Sequence, residues 1–124
     1  MKLLTKDIEK RLLANGALRR HIAQQGLDGL TAADLDFLPV VKLFTPDAGC
    51  TWLLTELDPD DPEIAFGLCD LGMGCPELGY VSLAELRTVR GKLNLPIERD
   101  LHFMPAKTIS AYADEARAAG RITA

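Results

Sequence analysis

At Pro39 the hydrophobic period of this chain changes, and that switch limits the folds open to it. Before Pro39, Leu4, Ile8, Leu18 and Ile22 recur at helical spacing, with Thr5 placed to cap a helix starting at Lys6. Asn15-Gly16 interrupts the pattern, because glycine costs about 1 kcal/mol inside a helix. The segment reads as one helix with a weak point or as two short helices. Residues 26–38 predict a further short helix, with Thr31 as cap and Leu35 and Leu38 facing inward.

After Pro39 the texture is that of strands. Residues 40–45 and 50–57 flank the turn signal Pro46-Asp47-Ala48-Gly49 and predict an antiparallel hairpin. Asp58-Pro59-Asp60-Asp61-Pro62 excludes regular structure. Residues 63–70 and 78–81 predict two more strands, joined by a glycine-rich loop. Ser82-Leu83-Ala84-Glu85 matches a capping box and opens a short helix that Gly91 ends. Residues 97–103 alternate as a last strand, and residues 108–119 form a final amphipathic helix. The order predicts an α+β fold. A small, mainly antiparallel sheet is flanked by an N-terminal helical region, a short internal helix and a C-terminal helix. Residues 1–38 are the helical region and residues 39–124 the α+β core of one domain.

Charge is segregated along the chain. Residues 43–86 hold nine acids and no Lys or Arg, whereas the flanks are mildly basic, giving +2, −9 and +3 in order. A field of that kind selects partners. Asp47, Glu56, Asp58, Asp60, Asp61 and Glu63 form the candidate binding set, spaced to imitate the phosphates of DNA before a protein's DNA-binding cleft. The alternative is a solvated loop with ordinary edge charges. Direct nucleic-acid binding is not favoured, since the pI is near 5.1 and no basic stripe is interleaved with aromatics.

The residues support fewer chemical readings. Alternation places Glu98, Asp100 and His102 on one strand face, about 7 Å apart in steps of two. They are the candidate acid–base set, with Tyr80, Ser82 and the loop at 72–74 available to complete a pocket. Arg99 shares its face with apolar residues. It is expected to meet a buried carboxylate such as Asp70 or Glu56, or to hold an anion. Cys50, Cys69 and Cys75 lack zinc-ligand spacing, and an odd count argues against a disulfide framework. No metal and no cofactor is expected. No apolar run reaches the length of a membrane span and no signal-like segment opens the chain, so a cytoplasmic protein without membrane partners is expected.

One resemblance adds to this reading. Pro39-Val40-Val41-Lys42-Leu43-Phe44-Thr45-Pro46 leads into Thr51-Trp52-Leu53-Leu54-Thr55-Glu56, and Pro76-Glu77-Leu78-Gly79-Tyr80-Val81-Ser82-Leu83 precedes Glu98-Arg99-Asp100. With Ala65-Phe66-Gly67-Leu68-Cys69-Asp70-Leu71-Gly72, these runs resemble the bacterial DUF2958 family over residues 38–119. The resemblance implies an accessory protein of plasmids, integrated elements and prophages, encoded near antirestriction and DNA-handling genes. It transfers no catalytic residue.

Three functions follow as expectations. The first is a non-enzymatic module whose acidic surface engages a host DNA-processing or defence protein. The second is a small enzyme using Glu98, Asp100 and His102. The third is a structural protein that assembles as a homodimer through a sheet edge or the last helix.

Overall fold

Thr5 stands in extended backbone, and its hydroxyl accepts from the Ile8 N–H at 3.2 Å, opening helix α1, Lys6–Gln25. In the computed structural model, which describes residues 2–26 and 28–124, α1 is one continuous helix. Gly16 does not break it. A Cβ there would lie 1.9 Å from the Leu57 carbonyl oxygen. The weak point of the helix is thus its point of closest approach to the sheet, and the loss of propensity is offset by packing. Asn15 fixes the crossing by donating to the Thr55 carbonyl at 2.8 Å. Leu12 is fully buried beside it. Leu18, expected on the buried face, is 40% exposed because it lies about 200° round the helix from Gly16.

The helix expected over residues 26–38 is a single 3-10 turn, Ala32–Asp34. Gly26, Asp28 and Gly29 all have positive φ, which a right-handed helix excludes; Leu27 lies outside the described residues. Thr31 stands at the N-cap of the turn as expected, where its backbone N–H donates to the Asp34 carboxylate at 2.7 Å. Leu35 is half-buried and Leu38 is 51% exposed, so Leu38 does not face inward.

Five strands follow: β1 (Val41–Phe44), β2 (Thr51–Leu57), β3 (Ile64–Asp70), β4 (Glu77–Ser82) and β5 (Glu98–Arg99). They form one antiparallel sheet in the order β4-β3-β2-β1-β5, and the fold is α+β. The β1–β2 pair is the expected antiparallel hairpin, with Val41 opposite Leu54 and Phe44 opposite Thr51. A bulge between Leu54 and Glu56 places Glu56 opposite Phe66. Helix α2 is only Leu83–Leu86, with the Ser82 hydroxyl accepting from the Glu85 N–H at 3.2 Å. Helix α3, Ile109–Ala119, matches its expected position and ends at Gly120 in the left-handed region.

The sheet carries apolar packing on both sides. One cluster joins Leu3, Leu4 and Leu12 to Val41, Trp52, Leu54, Leu83 and Ile97. The other sets Ile109, Tyr112, Ala113 and Ala116 of α3 against Leu53 and Leu68. Helix α3 is tied down at its start: the Ile109 N–H donates to the Phe37 carbonyl at 2.8 Å, and the Ser110 N–H to Asp36 Oδ1 at 3.1 Å. Among the described residues no helix is long and apolar enough to cross a membrane.

The last strand is shorter than alternation suggests. Asp100 still bonds the Lys42 carbonyl through its N–H, at 2.9 Å. Its carboxylate then accepts from the His102 N–H at 2.9 Å, and this local turn ends the strand. Leu101 is consequently 65% exposed, although continued alternation would set it on the face of Ile97 and Phe103. At the β1–β2 turn, Asp47 Oδ2 accepts from the N–H groups of Leu93 (2.6 Å) and Leu95 (3.3 Å). The following loop closes over this carboxylate so tightly that a Cβ at Gly91 would lie 1.7 Å from Asp47 Oδ1.

Two outcomes are predicted. Gly16→Ala lowers stability by about 1–3 kcal/mol in urea denaturation through overpacking, although alanine is the better helix former. For Asp36, burial pushes the carboxyl up, but the hydrogen bonds from Ser110 and Thr108 together outweigh it and hold the carboxyl below its ordinary value. The folded-state value lies below the unfolded one, so this contribution is complete at neutral pH and is lost as pH falls through the folded-state value. The Ser110 amide resonance is expected to titrate with a midpoint below that of a free aspartate, and Ser110→Ala is expected to raise the midpoint.

Candidate functional site

The β2–β3 connection gathers most of the acidic candidates. Asp58, Asp60, Asp61 and Glu63 lie in it, and Glu56 immediately precedes it on β2. Asp47 does not join them. It sits at the opposite end of β2, about 20 Å away along a seven-residue strand, and its carboxylate holds the loop that follows α2.

The loop is ordered by its own carboxylates and by cations from the basic flanks. Asp58 Oδ1 accepts from the Asp60 N–H at 2.9 Å, and the Asp58 carbonyl from the Asp61 N–H at 3.2 Å. The Asp61 carbonyl accepts from the Ile64 N–H at 2.9 Å, and the Asp61 side chain from the Glu63 N–H at 3.3 Å. Arg20 of α1 grips the loop twice, at 3.2 Å to Asp58 and 2.6 Å to Asp60. The bond and charge of Asp60 hold the Arg20 guanidinium above its already high pKa. Glu63 pairs with Arg87 at 2.7 Å. Glu56, 7% exposed, pairs with Arg19 at 2.7 Å. Arg19 also donates to the Ala32 and Leu35 carbonyls and lies over the Phe37 ring at 5.4 Å. Three carboxylates of the connection, Asp58, Asp60 and Glu63, therefore pair with two guanidinium groups, and Asp61 makes no ion pair among the described residues.

Beside this loop runs a groove. Phe66 of β3 and Tyr80 of β4 face each other across the strands, ring centroids 5.1 Å apart and edge to face. Two adjoining cavities, about 440 and 230 Å³, share Arg19, Phe66 and Tyr80. The first extends to Asp36, Leu78, Ile109 and Ser110, and the second to Arg20, Ala23, Asp58 and Pro59. Tyr80 is 72% exposed. Strand β4 is a sheet edge, and among the described residues its outer side bonds no other backbone. It contains neither Lys nor Pro, the residues that ordinarily blunt an edge. From the sequence alone, Tyr80 is expected only as the wall of a pocket with Glu98, Asp100 and His102. The usable signal is the period-two set Leu78, Tyr80 and Ser82 on a strand followed directly by a helix cap.

Glu98, Asp100 and His102 do not converge. The strand that would align them ends after Arg99. Glu98 is exposed opposite Phe44, Asp100 faces Lys42 at 3.6 Å, and His102 is exposed beyond the turn. Tyr80 and Ser82, expected to complete their pocket, belong to the opposite edge of the sheet. Arg99 meets neither Asp70 nor Glu56. It donates to the Lys2 and Leu3 carbonyls at 2.6 and 3.0 Å, anchoring the segment before α1. Asp70 instead accepts from the backbone N–H groups of Gly72 and Ile122, at 2.8 and 2.9 Å.

All three cysteines are free thiols. Burial pushes the Cys69 thiol up to about 11, which keeps it protonated and unreactive at neutral pH. Cys75 is exposed. Among the described residues no group of three His, Cys, Asp or Glu side chains is placed to hold a metal ion.

No curated protein and no solved structure matches the chain. A family model does match, described as a protein of unknown function, DUF2958, and it covers residues 3–123. The match takes in α1, all five strands, the acidic connection and α3. The chain belongs to the DUF2958 family.

Proposed function

We propose that this protein is a non-enzymatic binding module whose acidic loop and neighbouring aromatic groove engage a basic surface of a host DNA-processing or defence protein. The supporting observation is the adjacency of two unlike features. A carboxylate-rich loop, held in one conformation by Arg20 and its own turns, borders a groove crowned by an exposed tyrosine on an unpaired strand edge. Aromatic anchors within a charged rim are the usual anatomy of a protein interface. The carboxylates steer a cationic partner, and Tyr80 supplies contact area at small entropic cost. A DNA-binding cleft is a cationic surface of that kind, and a cytoplasmic role in plasmids, integrated elements and prophages agrees with it.

The unpaired β4 edge favours a second reading, self-association into a homodimer, in which two edges pair. Sedimentation over a range of concentrations separates the two: the first reading expects a monomer. The acid–base reading has no comparable support, because its three side chains point to different surroundings.

The immobilised chain, exposed to nuclease-treated host lysate, is expected to retain a DNA-binding protein that elutes at modest salt and is displaced by duplex DNA. Tyr80→Ala is expected to weaken retention by about 30-fold, the size of a hot-spot loss. Asp60→Asn with Asp61→Asn is expected to move elution to lower salt. A partner indifferent to salt, to DNA and to both variants would overturn the proposal.

A further inference from the structure

A further cavity of about 580 Å³ lies away from the groove, on the side of the sheet that packs against α1. Its size falls in the range of small-molecule sites. In a chain of net charge −4, its charged lining is mostly cationic: Lys2, Arg87 and Arg90, against Glu9 alone. Leu86 and Ile97, 5% and 6% exposed, supply an apolar floor.

The two arginines are held in place without being used up. Arg87 Nη1 bonds Glu63 at 2.7 Å, and Arg90 Nη1 donates to the Val89 carbonyl at 2.8 Å and the Arg87 carbonyl at 3.1 Å. Among the described residues the Nε and Nη2 groups of both guanidiniums bond nothing else, and the Lys2 ammonium bonds nothing. Anchored guanidiniums with spare N–H groups lose little freedom on binding an oxyanion, which they bind through paired hydrogen bonds.

We infer that this cavity binds a small organic anion, an oxyanion head held by Arg87, Arg90 and Lys2 with an apolar body resting on Leu86 and Ile97. Neither Arg87 nor Arg90 belongs to a sequence motif that points to this role. Only the fold brings residues 2, 87 and 90 to one cavity. The site is independent of the acidic loop except through the Glu63–Arg87 pair.

Butyl phosphate titrated into the full chain tests this, followed by NMR of arginine Nε–H and leucine and isoleucine methyl resonances. Saturable shifts are expected at Arg87, Arg90, Leu86 and Ile97. Inorganic phosphate, lacking the apolar body, is expected to bind more weakly, and butylammonium not to bind. Arg87→Gln and Arg90→Gln are each expected to weaken binding about tenfold, the loss of a charge-assisted hydrogen bond. Lys2→Gln, at an exposed position, is expected to act in the same direction and keeps the test decisive should an arginine variant misfold. The inference is overturned by the absence of saturable shifts, by an equal response to butylammonium, or by undiminished affinity in the variants. It is also overturned if duplex DNA moves these resonances where butyl phosphate does not.

Discussion

The contact of Gly16 with the carbonyl of Leu57 sets the rest of the structure. Any side chain at that position would push α1 off the end of β2. With none, the helix lies against the strand at the point where the acidic connection begins. The next turn of α1 then delivers Arg19 to Glu56 and Arg20 to Asp58 and Asp60. One close approach thereby fixes the helix, orders the loop and builds one wall of the groove over Phe66 and Tyr80.

The fold also redistributes the charge that the chain separates. Along the sequence the middle third is wholly acidic, but cations arrive from both flanks, Arg19 and Arg20 from one and Arg87 from the other. The exposed pairs of Arg20 and Arg87 contribute about 0–1 kcal/mol each to stability. Their larger effect is on shape, because a loop with two prolines and four carboxylates would otherwise repel itself into many conformers. Neutralisation is partial, so the loop keeps a negative surplus for steering while losing freedom that a partner would have to remove on binding.

Most of the architecture was legible from local chemistry. Thr5 and Ser82 announce their helices, the Pro46–Gly49 turn fixes the hairpin, and the apolar period announces α3, where Ile109, Tyr112, Ala113 and Ala116 are buried but Ala119, on the same expected face, is exposed. The misreadings share a cause: side-chain-to-backbone bonds and special dihedrals overrode periodicity. Asp100 ends a strand whose alternation continues in sequence, and positive φ at Gly26, Asp28 and Gly29 stops a helix that Leu35 and Leu38 suggest. The site was less legible because it depends on distance. The partners of Arg19, Arg20 and Arg87 lie 24 to 40 residues away. Arg99 bonds carbonyls at the far N-terminus, which no pattern of side chains encodes.

Amide hydrogen exchange across the acidic connection tests this account most directly, measured for the native chain and for Arg20→Gln. The account predicts that the Asp60, Asp61, Glu63 and Ile64 amides are protected in the native chain. In the variant, the Asp60 and Asp61 amides lose that protection while β2 and β3 keep theirs. Exchange at unstructured rates throughout the native loop, or protection indifferent to the loss of Arg20, would contradict it.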